Sequence, residues 1–393
     1  MRVHLMLLAI AGRIGPRRRP GAGGRRILLT GTFNSDHWIR AHLAPLAASA
    51  GCASIVMVTT SPLPSLAKVT AVSPPSWLVA VTGTVPARLL MFIIVGLRSR
   101  PDVVGGFHLL INGLVAGLVA RVTGAESWYF SVGGPTELVD GGVWGENAYF
   151  ARLRAPDAVV ERQLLDAVRE FDVVITMGTG AARFLREHGV TGPIEVVPGG
   201  IDSSLFSGQR KAAEFDLVLV ARLVPIKQIE LFIRVVALLR SNRAITAAIV
   251  GDGPLRASLE QQAADLGVSD AITFAGRQTD VPGWLARSRI FVLTSESEGL
   301  ALSMMEAMMC GLPAVVPRVG DLEDLVSNGR NGYLIDGPSA PAFASAIESL
   351  LDDPARYAAF SAAAEQAARS FTLEATTGTW DRVLRAGEKP LVH

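Results

Sequence analysis

The sequence predicts an α/β protein made of two Rossmann-like domains, and three observations support this. The chain has 393 residues, more than one ordinary hydrophobic core accommodates. Short apolar runs typical of buried strands alternate with amphipathic helical segments, which is the pattern of βαβ units in a parallel sheet. The alternation breaks at the turn-rich segment Pro-Gly-Gly-Ile-Asp, 198–202, and then begins again. We therefore expect two domains that face a shared cleft.

In the first half of the chain, the apolar run 25–33 predicts a strand that leads into a helix over about 35–50. The segment 61–76 is rich in proline and serine and predicts a loop. The remaining predicted strands cover 52–60, 102–107, 127–132, 172–176 and 194–197, and the remaining helices cover about 110–123, 157–170 and 179–188.

In the second half, the helix predicted over 226–240 carries Ile229, Phe232, Ile233 and Val236 on one face. The other predicted elements are strands over 215–221, 244–250, 272–274, 289–294, 314–316 and 332–335, and helices over 255–266, 281–287 and 322–327. The predicted domain limits are 1–24 for a basic leader, 25–205 for an N-terminal domain, 206–370 for a C-terminal domain and 371–393 for a helix that crosses back.

The composition limits the classes of function. A formal net charge of +1 at pH 7 predicts neither nucleic acid nor acidic proteins as partners. The two cysteines, Cys52 and Cys310, are far apart in sequence and lie among apolar residues, which favours a reducing compartment without a disulfide framework. No cluster of cysteine and histidine has the spacing of a zinc site. We therefore expect a cytoplasmic protein.

Two apolar segments raise the question of membrane contact. Arginines follow the run 3–11 rather than precede it, the reverse of a secretory signal, so residues 1–24 are interpreted as a disordered leader or a weak basic membrane anchor. The stretch 77–97 is interrupted by Pro86 and Arg88 and leaves no run long enough to span a bilayer. It predicts a buried or membrane-surface helix over 88–98, and peripheral contact with the inner face of the membrane stays open.

Glu298 and Glu306 are separated by seven residues in an apolar, glycine-containing segment. Glu298 follows the predicted strand 289–294 and should lie at the carboxyl edge of the sheet, where α/β proteins bind ligands. Ser303 and Glu306 have the spacing of a capping box, with Ser303 as N-cap. The same helix start could instead present N–H groups to a phosphate, with Glu306 accepting hydrogen bonds from a ribose diol. Both interpretations stay open at this point.

Arg222 and Lys227 flank a turn that follows the strand 215–221, at the edge expected for Glu298. An arginine fork and a mobile lysine charge match the oxygens of a diphosphate, although two loop cations can also be simply solvated. The turn Gly-Asp-Gly-Pro, 251–254, follows the next strand. The small residues Gly-Leu-Ala, 299–301, would let a ligand approach the backbone closely. These residue types together are typical of a site for a diphosphate.

The second half of the chain resembles the retaining family-4 glycosyltransferases of GT-B fold, also called glycosyl transferases group 1. The resemblance rests on motifs that occur in the order of that family. They are Pro-Gly-Gly-Ile-Asp-Ser-Ser-Leu-Phe (198–206), Ala-Arg-Leu-Val-Pro-Ile-Lys (221–227), Gly-Asp-Gly-Pro-Leu (251–255), Phe-Ala-Gly (274–276), the Glu298 and Glu306 pair, Met-Cys-Gly-Leu-Pro (309–313), Gly-Asp (320–321) and Asn-Gly-Tyr-Leu (331–334). The first half resembles the family only in its alternation of strands and helices.

The resemblance implies a donor site for a nucleotide-diphosphate sugar, with UDP or GDP as the expected nucleotide. Arg222 and Lys227 would bind the diphosphate and Glu298 the transferred sugar, and these three are the predicted catalytic residues. Glu306 would bind the ribose. The other predicted donor-binding residues are Gly251, Gly253, Arg277, Gly299, Leu300, Ala301 and Leu302. No cofactor and no metal ion are expected, because the cations and the helix dipole neutralise the leaving diphosphate.

The chain departs from the family pattern in its second half at two positions. Gly199 stands where relatives often have asparagine, and Asp321 stands where a second glycine is common. Both departures lie in motifs that the resemblance places near the donor or the acceptor.

A further departure concerns the first half. Many relatives carry a histidine after the strand that corresponds to 127–132, whereas this chain has Val-Gly-Gly, 132–134.

The loop 30–38 of the first half stands where relatives have a glycine-rich loop, and its Ser35 and Asp36 are also typical helix caps. His108, which follows the strand 102–107, is another candidate, and a buried or hydrogen-bonded structural ring is the alternative for it. The predicted acceptor-side residues of the first domain are His108, Gly133, Gly134 and Glu137.

The predicted function is a metal-independent, hexosyltransferase-like enzyme that moves a sugar from a nucleotide-diphosphate donor to a glycan or lipid-linked acceptor, in polysaccharide or glycolipid synthesis. Two alternatives stay open. The missing histidine favours a catalytically degenerate sugar-nucleotide-binding protein, and the same fold also serves nucleotide-sugar epimerases. An oxidoreductase is not supported, because no Gly-x-Gly-x-x-Gly follows a first strand in either half.

Overall fold

The computed structural model describes residues 23–31, 33, 35–139, 157–206, 208 and 211–386. These residues form two compact units. The first unit contains the described residues up to Gly200 together with those from Leu373 onward, and the second contains Ile201–Thr372. The sequence placed the corresponding limits at 205 and 370. Of the predicted leader, residues 1–22 lie outside the described residues.

The first unit is built on a parallel sheet whose strands are separated by helices, as the sequence predicts. Its strands are β1 (Arg25–Thr30), β2 (Cys52–Val58), β3 (Val69–Val72), β4 (Val103–Phe107), β5 (Glu126–Ser131), β6 (Val173–Thr176) and β7 (Ile194–Val196). Its helices are α1 (Asp36–Ala48), α2 (Ser76–Thr82), α3 (Thr84–Ser99), α4 (Leu114–Thr123), α5 (Ala158–Arg169), α6 (Thr179–Glu187) and α14 (Leu373–Ala386). Short π and 3₁₀ turns cover Leu109–Gly113 and Pro135–Glu137.

The second unit repeats this plan with a second parallel sheet. Its strands are β8 (Phe215–Val220), β9 (Ala247–Val250), β10 (Ile272–Gly276), β11 (Ser288–Val292), β12 (Ala314–Pro317) and β13 (Gly332–Ile335). Its helices are α7 (Ser203–Phe206), α8 (Ile229–Arg240), α9 (Arg256–Asp265), α10 (Val281–Ala286), α11 (Leu302–Met309), α12 (Ala340–Leu351) and α13 (Pro354–Ala368). Three 3₁₀ turns cover Pro225–Lys227, Leu322–Asp324 and Arg369–Phe371.

Strand order determines where a ligand can bind in each unit. The first sheet has the order β3-β2-β1-β4-β5-β6-β7 and the second the order β10-β9-β8-β11-β12-β13. The order reverses between β1 and β4 in the first sheet and between β8 and β11 in the second. Such reversals open a crevice beyond the carboxyl ends of the strands, where α/β proteins bind ligands. Ligand-binding residues are therefore expected in the loops that follow β1, β4, β8 and β11.

The core of each unit is apolar on both faces of its sheet, as expected for parallel strands covered by helices. In the first unit Trp128 of β5 stacks on Trp380 of the last helix, α14, with ring centroids 5.6 Å apart. Ser49, just after α1, donates a hydrogen bond from Oγ to Asp381 Oδ1 of α14 at 2.6 Å. These contacts attach the end of the described chain to the first sheet.

Three predicted elements differ from the structure. The segment 61–76, predicted as a loop, contains the edge strand β3, because Val69–Val72 pairs with β2 although the prolines before it obscure the strand pattern. The helix predicted over 322–327 is a single 3₁₀ turn. The strand predicted over 244–250 begins only at Ala247.

The helix predicted over 88–98 is longer than expected. Helix α3 begins at Thr84 and includes Pro86 in its first turn, where the missing N–H of proline has no intrahelical partner to lose. None of the helices in the described ranges is long and apolar enough to cross a bilayer.

Candidate active site

Lys227 and Glu298 meet at the reversal point of the second sheet. The 3₁₀ turn after β8 places Lys227 Nζ 2.6 Å from Glu298 Oε1, and Ser295 Oγ donates a hydrogen bond of 2.6 Å to the same oxygen. The side chains of Lys227 and Glu298 are 18% and 9% exposed. The carboxylate predicted to bind the sugar is therefore held by a cation predicted to bind the diphosphate.

The backbones of the two loops that carry this pair are joined. Thr294 Oγ1 donates to the carbonyl oxygens of Lys227 and Gln228 at 3.1 and 3.0 Å. The Glu296 N–H donates to Ile226 O at 2.9 Å. These bonds hold the β8 turn and the β11 loop in one arrangement, and rigid support of this kind preorganises a site.

The predicted donor-binding glycines Gly251 and Gly253 pack against the β8 turn. A Cβ at Gly251 would overlap the carbonyl oxygen of Ala221, and a Cβ at Gly253 would overlap that of Leu223. Gly251 also has a positive φ of 143°. Gly320 has the same role after β12, because a Cβ there would overlap the carbonyl oxygen of Glu298. Close approach of loop to loop accounts for these glycines, and a donor contact stays a prediction.

The predicted capping box at Ser303 and Glu306 is wrong. Helix α11 begins at Leu302 with Ala301 as its N-cap, and no side chain caps it. Ser303 is thus the second helical residue, beyond the N-cap position from which a side chain accepts a capping hydrogen bond. Glu306 lies at the fifth helical position and is 7% exposed. Of the two interpretations of Glu306, the capping one is excluded.

Arg222 and Arg277 differ in their distance from the reversal point. Arg222 lies in the loop after β8, the same loop that carries Lys227, and its side chain is exposed. Arg277 follows β10, the edge strand, which β9 separates from β8. The strand order therefore groups Arg222 with Lys227 and Glu298, whereas Arg277 stands two strands away.

A second cluster of charged side chains lies in the first unit, after β4 and β5. His108 Nδ1 is 2.8 Å from Glu137 Oε1, and Tyr129 Oη donates a hydrogen bond of 2.7 Å to Glu137 Oε2. The backbone N–H groups of Val132 and Gly133 also donate to Glu137 Oε1. The side chain of Glu137 is 10% exposed and that of His108 is 41% exposed.

Three of the four acceptor-side residues predicted in the first domain are thus joined through Glu137. The fourth, Gly134, comes just before the 3₁₀ turn that carries Glu137 and has a positive φ of 75°. Of the alternative of a buried or satisfied ring, burial does not hold, since the side chain of His108 is partly exposed, whereas its contact with Glu137 agrees with a satisfied ring.

The electrostatics of this cluster favour an ionised Glu137. Burial by itself would raise the pKa of Glu137, but the charge of His108 and the hydrogen bonds from His108, Tyr129 and Gly133 outweigh it, so that this pKa lies below its ordinary value. Burial and the neighbouring carboxylate raise the pKa of Tyr129 well above 10. Tyr129 therefore stays a hydrogen-bond donor to a carboxylate.

Sequence reasoning missed Arg88 and Asn112. Arg88 of α3 is 3% exposed and donates hydrogen bonds to Gly31 O and, at 2.7 Å, to Asn112 Oδ1. Asn112 Nδ2 donates in turn to Phe107 O at 2.7 Å. These bonds tie the loop after β1 to the end of β4. The sequence signal for this network is Arg88 itself, a single charge inside an apolar helical segment, where it looks only like an interruption. A buried charge must be hydrogen-bonded, so such a charge indicates polar partners nearby.

The loop after β1 is described only in part, since residues 32 and 34 lie outside the described residues. Ser35 acts as the N-cap of α1 and accepts a hydrogen bond from the Trp38 N–H at 3.2 Å.

Among the described residues, no group of three or more His, Cys, Asp or Glu side chains is arranged to hold a metal ion.

The fold defines the class of the protein. A sucrose-phosphate synthase from Thermosynechococcus elongatus matches 92% of this chain and 98% of its own with a TM-score of 0.75 at 19% identity. Anabaena HepE in complex with UDP and glucose matches 92% of this chain and 100% of its own with a TM-score of 0.70 at 17% identity. At these identities the likeness concerns the fold, and the predicted class, a GT-B protein of two Rossmann-like units, is confirmed.

Sequence comparison identifies the second unit further. Residues 202–367, nearly all of that unit, match the model of the family Glycosyl transferases group 1. This confirms the resemblance drawn from the motifs between 198 and 334.

Two relatives indicate how far the similarity extends. A GDP-mannose-dependent alpha-(1-6)-phosphatidylinositol monomannoside mannosyltransferase of Mycolicibacterium smegmatis is 32% identical over 203 residues, 46% of this chain and 53% of its own. A D-inositol 3-phosphate glycosyltransferase 2 of Catenulispora acidiphila is 31% identical over 252 residues, 57% of this chain and 58% of its own. The chain thus spans about half the length of the curated relatives it matches.

Proposed function

We propose that the protein is a retaining glycosyltransferase that moves a sugar from a nucleotide-diphosphate donor to a glycan or lipid-linked acceptor. One observation carries the proposal. Lys227 and Glu298 form an ion pair at the reversal point of a sheet whose unit belongs to the group 1 glycosyltransferases. A lysine and a carboxylate held together there match the two ends of a sugar diphosphate, the negative diphosphate and the sugar hydroxyls.

The donor diphosphate would be bound by Arg222, Lys227 and the first turn of α11. Lys227 has three donor hydrogens, so contact with Glu298 leaves it able to donate to a phosphate oxygen as well. Helix α11 begins without a side-chain cap, which suits an anion at its N-terminus. Backbone amides between Gly299 and Leu302 would take part in this contact.

The same groups would carry the chemistry. Charge develops on the leaving diphosphate as its bond to the sugar breaks, and preorganised cations and helix amides stabilise that charge. We propose that this suffices without a divalent metal or another cofactor. Glu298 would hold a hydroxyl of the transferred sugar and Glu306 the ribose, and UDP or GDP is the proposed nucleotide.

Retention of the anomeric configuration and the acceptor class are the finer parts of the proposal. Retention is supported by the order of the second-unit motifs. Two relatives are named for inositol phosphate and phosphatidylinositol mannoside substrates, which favours a polyol phosphate or a lipid-linked glycan and a role in glycolipid or cell-surface polysaccharide synthesis. The anomeric configuration of the product, read by proton NMR, tests retention directly.

Peripheral contact with the inner face of a membrane is also proposed, and the first unit supplies the support. Trp77 and Val81 of α2 are 67% and 80% exposed. No aspartate or glutamate occurs in the sequence between Asp36 and Asp102, whereas this segment contains several arginines and a lysine. An exposed apolar face in a basic segment suits an anionic lipid surface. Cys52 and Cys310 are buried and form no disulfide, which agrees with a reducing compartment.

Thermal unfolding with UDP, GDP and ADP tests the donor site. A nucleotide at 100 times its dissociation constant should stabilise the native protein by roughly 2.7 kcal/mol, and Glu306→Gln should abolish the shift for the nucleotide that binds. Glu260→Gln, which alters an exposed carboxylate paired with Arg256, serves as the matched control and should retain the shift. Stabilisation by none of the nucleotides, or an equal shift in Glu306→Gln, would contradict the proposal. A new sugar nucleotide formed without any acceptor would instead indicate an epimerase.

A further inference from the structure

The reversal point of the first sheet also carries a polar side-chain network, formed by Tyr129, Glu137 and His108. Tyr129 Oη donates to one oxygen of the Glu137 carboxylate, and His108 Nδ1 contacts the other at 2.8 Å. Tyr129 is fully buried, Glu137 is nearly so, and His108 at the end of the network is 41% exposed. A buried donor, a buried carboxylate and an accessible ring thus follow one another toward the surface.

From this arrangement we infer that His108 is the substrate-contacting side chain of the first unit, which hydrogen-bonds a hydroxyl group of the acceptor, and that Glu137 and Tyr129 are positioning residues that orient its ring. The inference rests on the proposed function, because it assigns the acceptor to that reaction. It gives the first unit a defined chemical role that replaces the histidine absent from 132–134.

The position of His108 in the fold supports this role. His108 directly follows β4, one of the two strands at the reversal point, where the crevice of such a sheet opens. Its backbone has φ 62° and ψ 141°, an uncommon conformation for a residue other than glycine. Strained conformations persist where the surroundings over-determine them, and they cluster at functional sites.

The surroundings hold the His108 backbone in place. Its N–H donates to Phe130 O at 3.1 Å, and its carbonyl oxygen accepts from the Gly113 N–H at 3.0 Å. The preceding residue, Phe107, accepts the hydrogen bond of Asn112, which Arg88 ties to Gly31. The end of β4 is therefore fixed before any substrate arrives.

The carboxylate determines which ring nitrogen faces the substrate. The ionised Glu137 accepts from Nδ1–H in both the charged and the neutral form of the ring, and in the neutral form the lone pair is then on Nε2. Nε2 can then accept a hydrogen bond from a hydroxyl group and orient its oxygen. The N–H groups of Val132 and Gly133 and the hydroxyl of Tyr129 fix the carboxylate, so that the ring orientation does not depend on the exposed side chain alone.

A purely structural role of Glu137 would consist of holding the backbone after β5 through these two N–H groups. Three variants separate the two roles. Nδ1 of His108 and the two backbone N–H groups contact the same oxygen, Oε1, so that a glutamine oxygen in Glu137→Gln can still accept from all of them, with its amide nitrogen toward Tyr129 Oη. Glu137→Leu removes the acceptor of the Nδ1 proton, so the ring takes the tautomer with its proton on Nε2 and presents a donor instead of an acceptor to the substrate. His108→Asn removes the ring and leaves the contacts of Glu137 with the backbone in place.

The experiment measures the tautomer and the turnover together. The His108 tautomer is read from long-range ¹H–¹⁵N spectra of protein labelled with ¹⁵N-histidine, with His108→Asn assigning the signal. Hydrolysis of GDP-mannose and UDP-glucose, in which water takes the place of the acceptor hydroxyl, and transfer to D-inositol 3-phosphate give the turnover. Nucleoside diphosphate affinity is measured in parallel.

The expected result is a proton on Nδ1 in the native protein and in Glu137→Gln, and on Nε2 in Glu137→Leu. The kcat should fall about tenfold or more in Glu137→Leu and in His108→Asn, and less in Glu137→Gln and in Tyr129→Phe, while nucleotide affinity changes less than twofold. The matched control is Glu126→Gln, at the other end of β5, whose carboxylate is held by Arg25 and Trp128. It should lower stability but leave the His108 tautomer and kcat unchanged.

Two outcomes overturn the inference alone. One is a His108 tautomer in Glu137→Leu that is the same as in the native protein, and the other is unchanged turnover in both Glu137→Leu and His108→Asn while the native protein binds its nucleotide. A native protein that binds no nucleoside diphosphate would instead overturn the proposed function, and with it the substrate assigned to His108. The two failures are therefore distinguishable.

Discussion

Lys227 Nζ lies 2.6 Å from Glu298 Oε1, so that the turn after β8 and the loop after β11 are joined by an ion pair between residues 71 positions apart. Both side chains are mostly buried. The pair therefore has a structural consequence besides its proposed part in donor binding.

Lys227→Ala should remove the cation that partners a carboxylate with 9% exposure. We expect a loss of about 1–3 kcal/mol in the free energy of unfolding, because a largely buried carboxylate loses a charged hydrogen-bond donor while Ser295 remains. Urea denaturation measures this loss. Arg243→Ala, which breaks the more exposed pair with Asp352, is the control and should change stability by less than about 1 kcal/mol. Equal effects of the two variants would contradict the prediction.

Gly251→Ala should destabilise the second unit through steric overlap. The added Cβ would meet the carbonyl oxygen of Ala221 at a positive φ of 143°, and forced overlap in a packed region costs about 1–3 kcal/mol. Gly267→Ala isolates the backbone effect, because Gly267 has φ 67° but no atom within 4 Å of an added Cβ. Its cost should be about 1 kcal/mol. Thermal unfolding of both variants compares them, and a smaller loss at Gly251 than at Gly267 would count against the packing argument.

Arg88→Met should loosen the loop after β1. The substitution keeps the length of the side chain but leaves Gly31 O and Asn112 Oδ1 without their donor, at about 1–3 kcal/mol for each buried group that stays unpaired. We expect lower stability and faster amide hydrogen exchange in the residues after β1 and β4. Arg98→Met, on the exposed face of the same helix, should leave both quantities unchanged. Native-like exchange in Arg88→Met would show that the loops are held by other contacts.

His42 should make the first unit sensitive to acid. Burial lowers the pKa of His42 to about 4, from its ordinary value of 6.5. A base whose folded pKa is depressed contributes stability above pH 6.5, and this contribution is lost as the pH falls from 6.5 toward 4, by about 3 kcal/mol in all. His42→Gln should therefore show a flatter dependence of unfolding free energy on pH in this window. Parallel urea titrations at pH 7, 6, 5 and 4.5 measure it, and identical slopes would refute the prediction.

Trp77→Ser combined with Val81→Ser should weaken the proposed membrane contact. The two exposed apolar side chains would insert at the lipid surface, and their loss removes apolar burial while the basic residues remain. Co-sedimentation with vesicles containing phosphatidylglycerol at low salt measures the bound fraction. Leu266→Ser, an exposed leucine of the second unit, is the matched control and should bind as the native protein does. Equal sedimentation of both variants would place the contact elsewhere.

Much of the fold was predictable because its signals are local. Parallel strands buried on both faces give continuous apolar runs, and helices such as α8 give a one-sided apolar period, so most elements were placed within a few residues. The strand β3 was missed because an edge strand pairs on one side only and lies among prolines. The capping box failed because the N-cap of α11 is Ala301 and not Ser303, and motif spacing alone does not show at which residue a helix begins.

The sequence by itself determined the two α/β units, the family resemblance of the second unit and the residues of the predicted donor site, since these depend on periodicity and on motif spacing along the chain. The tertiary structure alone decided that Lys227 pairs with Glu298, that Glu137 connects Tyr129 to His108, and that Arg88 ties β1 to β4. The physical reason is strand order. Residues far apart in sequence become neighbours only where the sheet reverses, and no local pattern in the chain records which strands lie side by side.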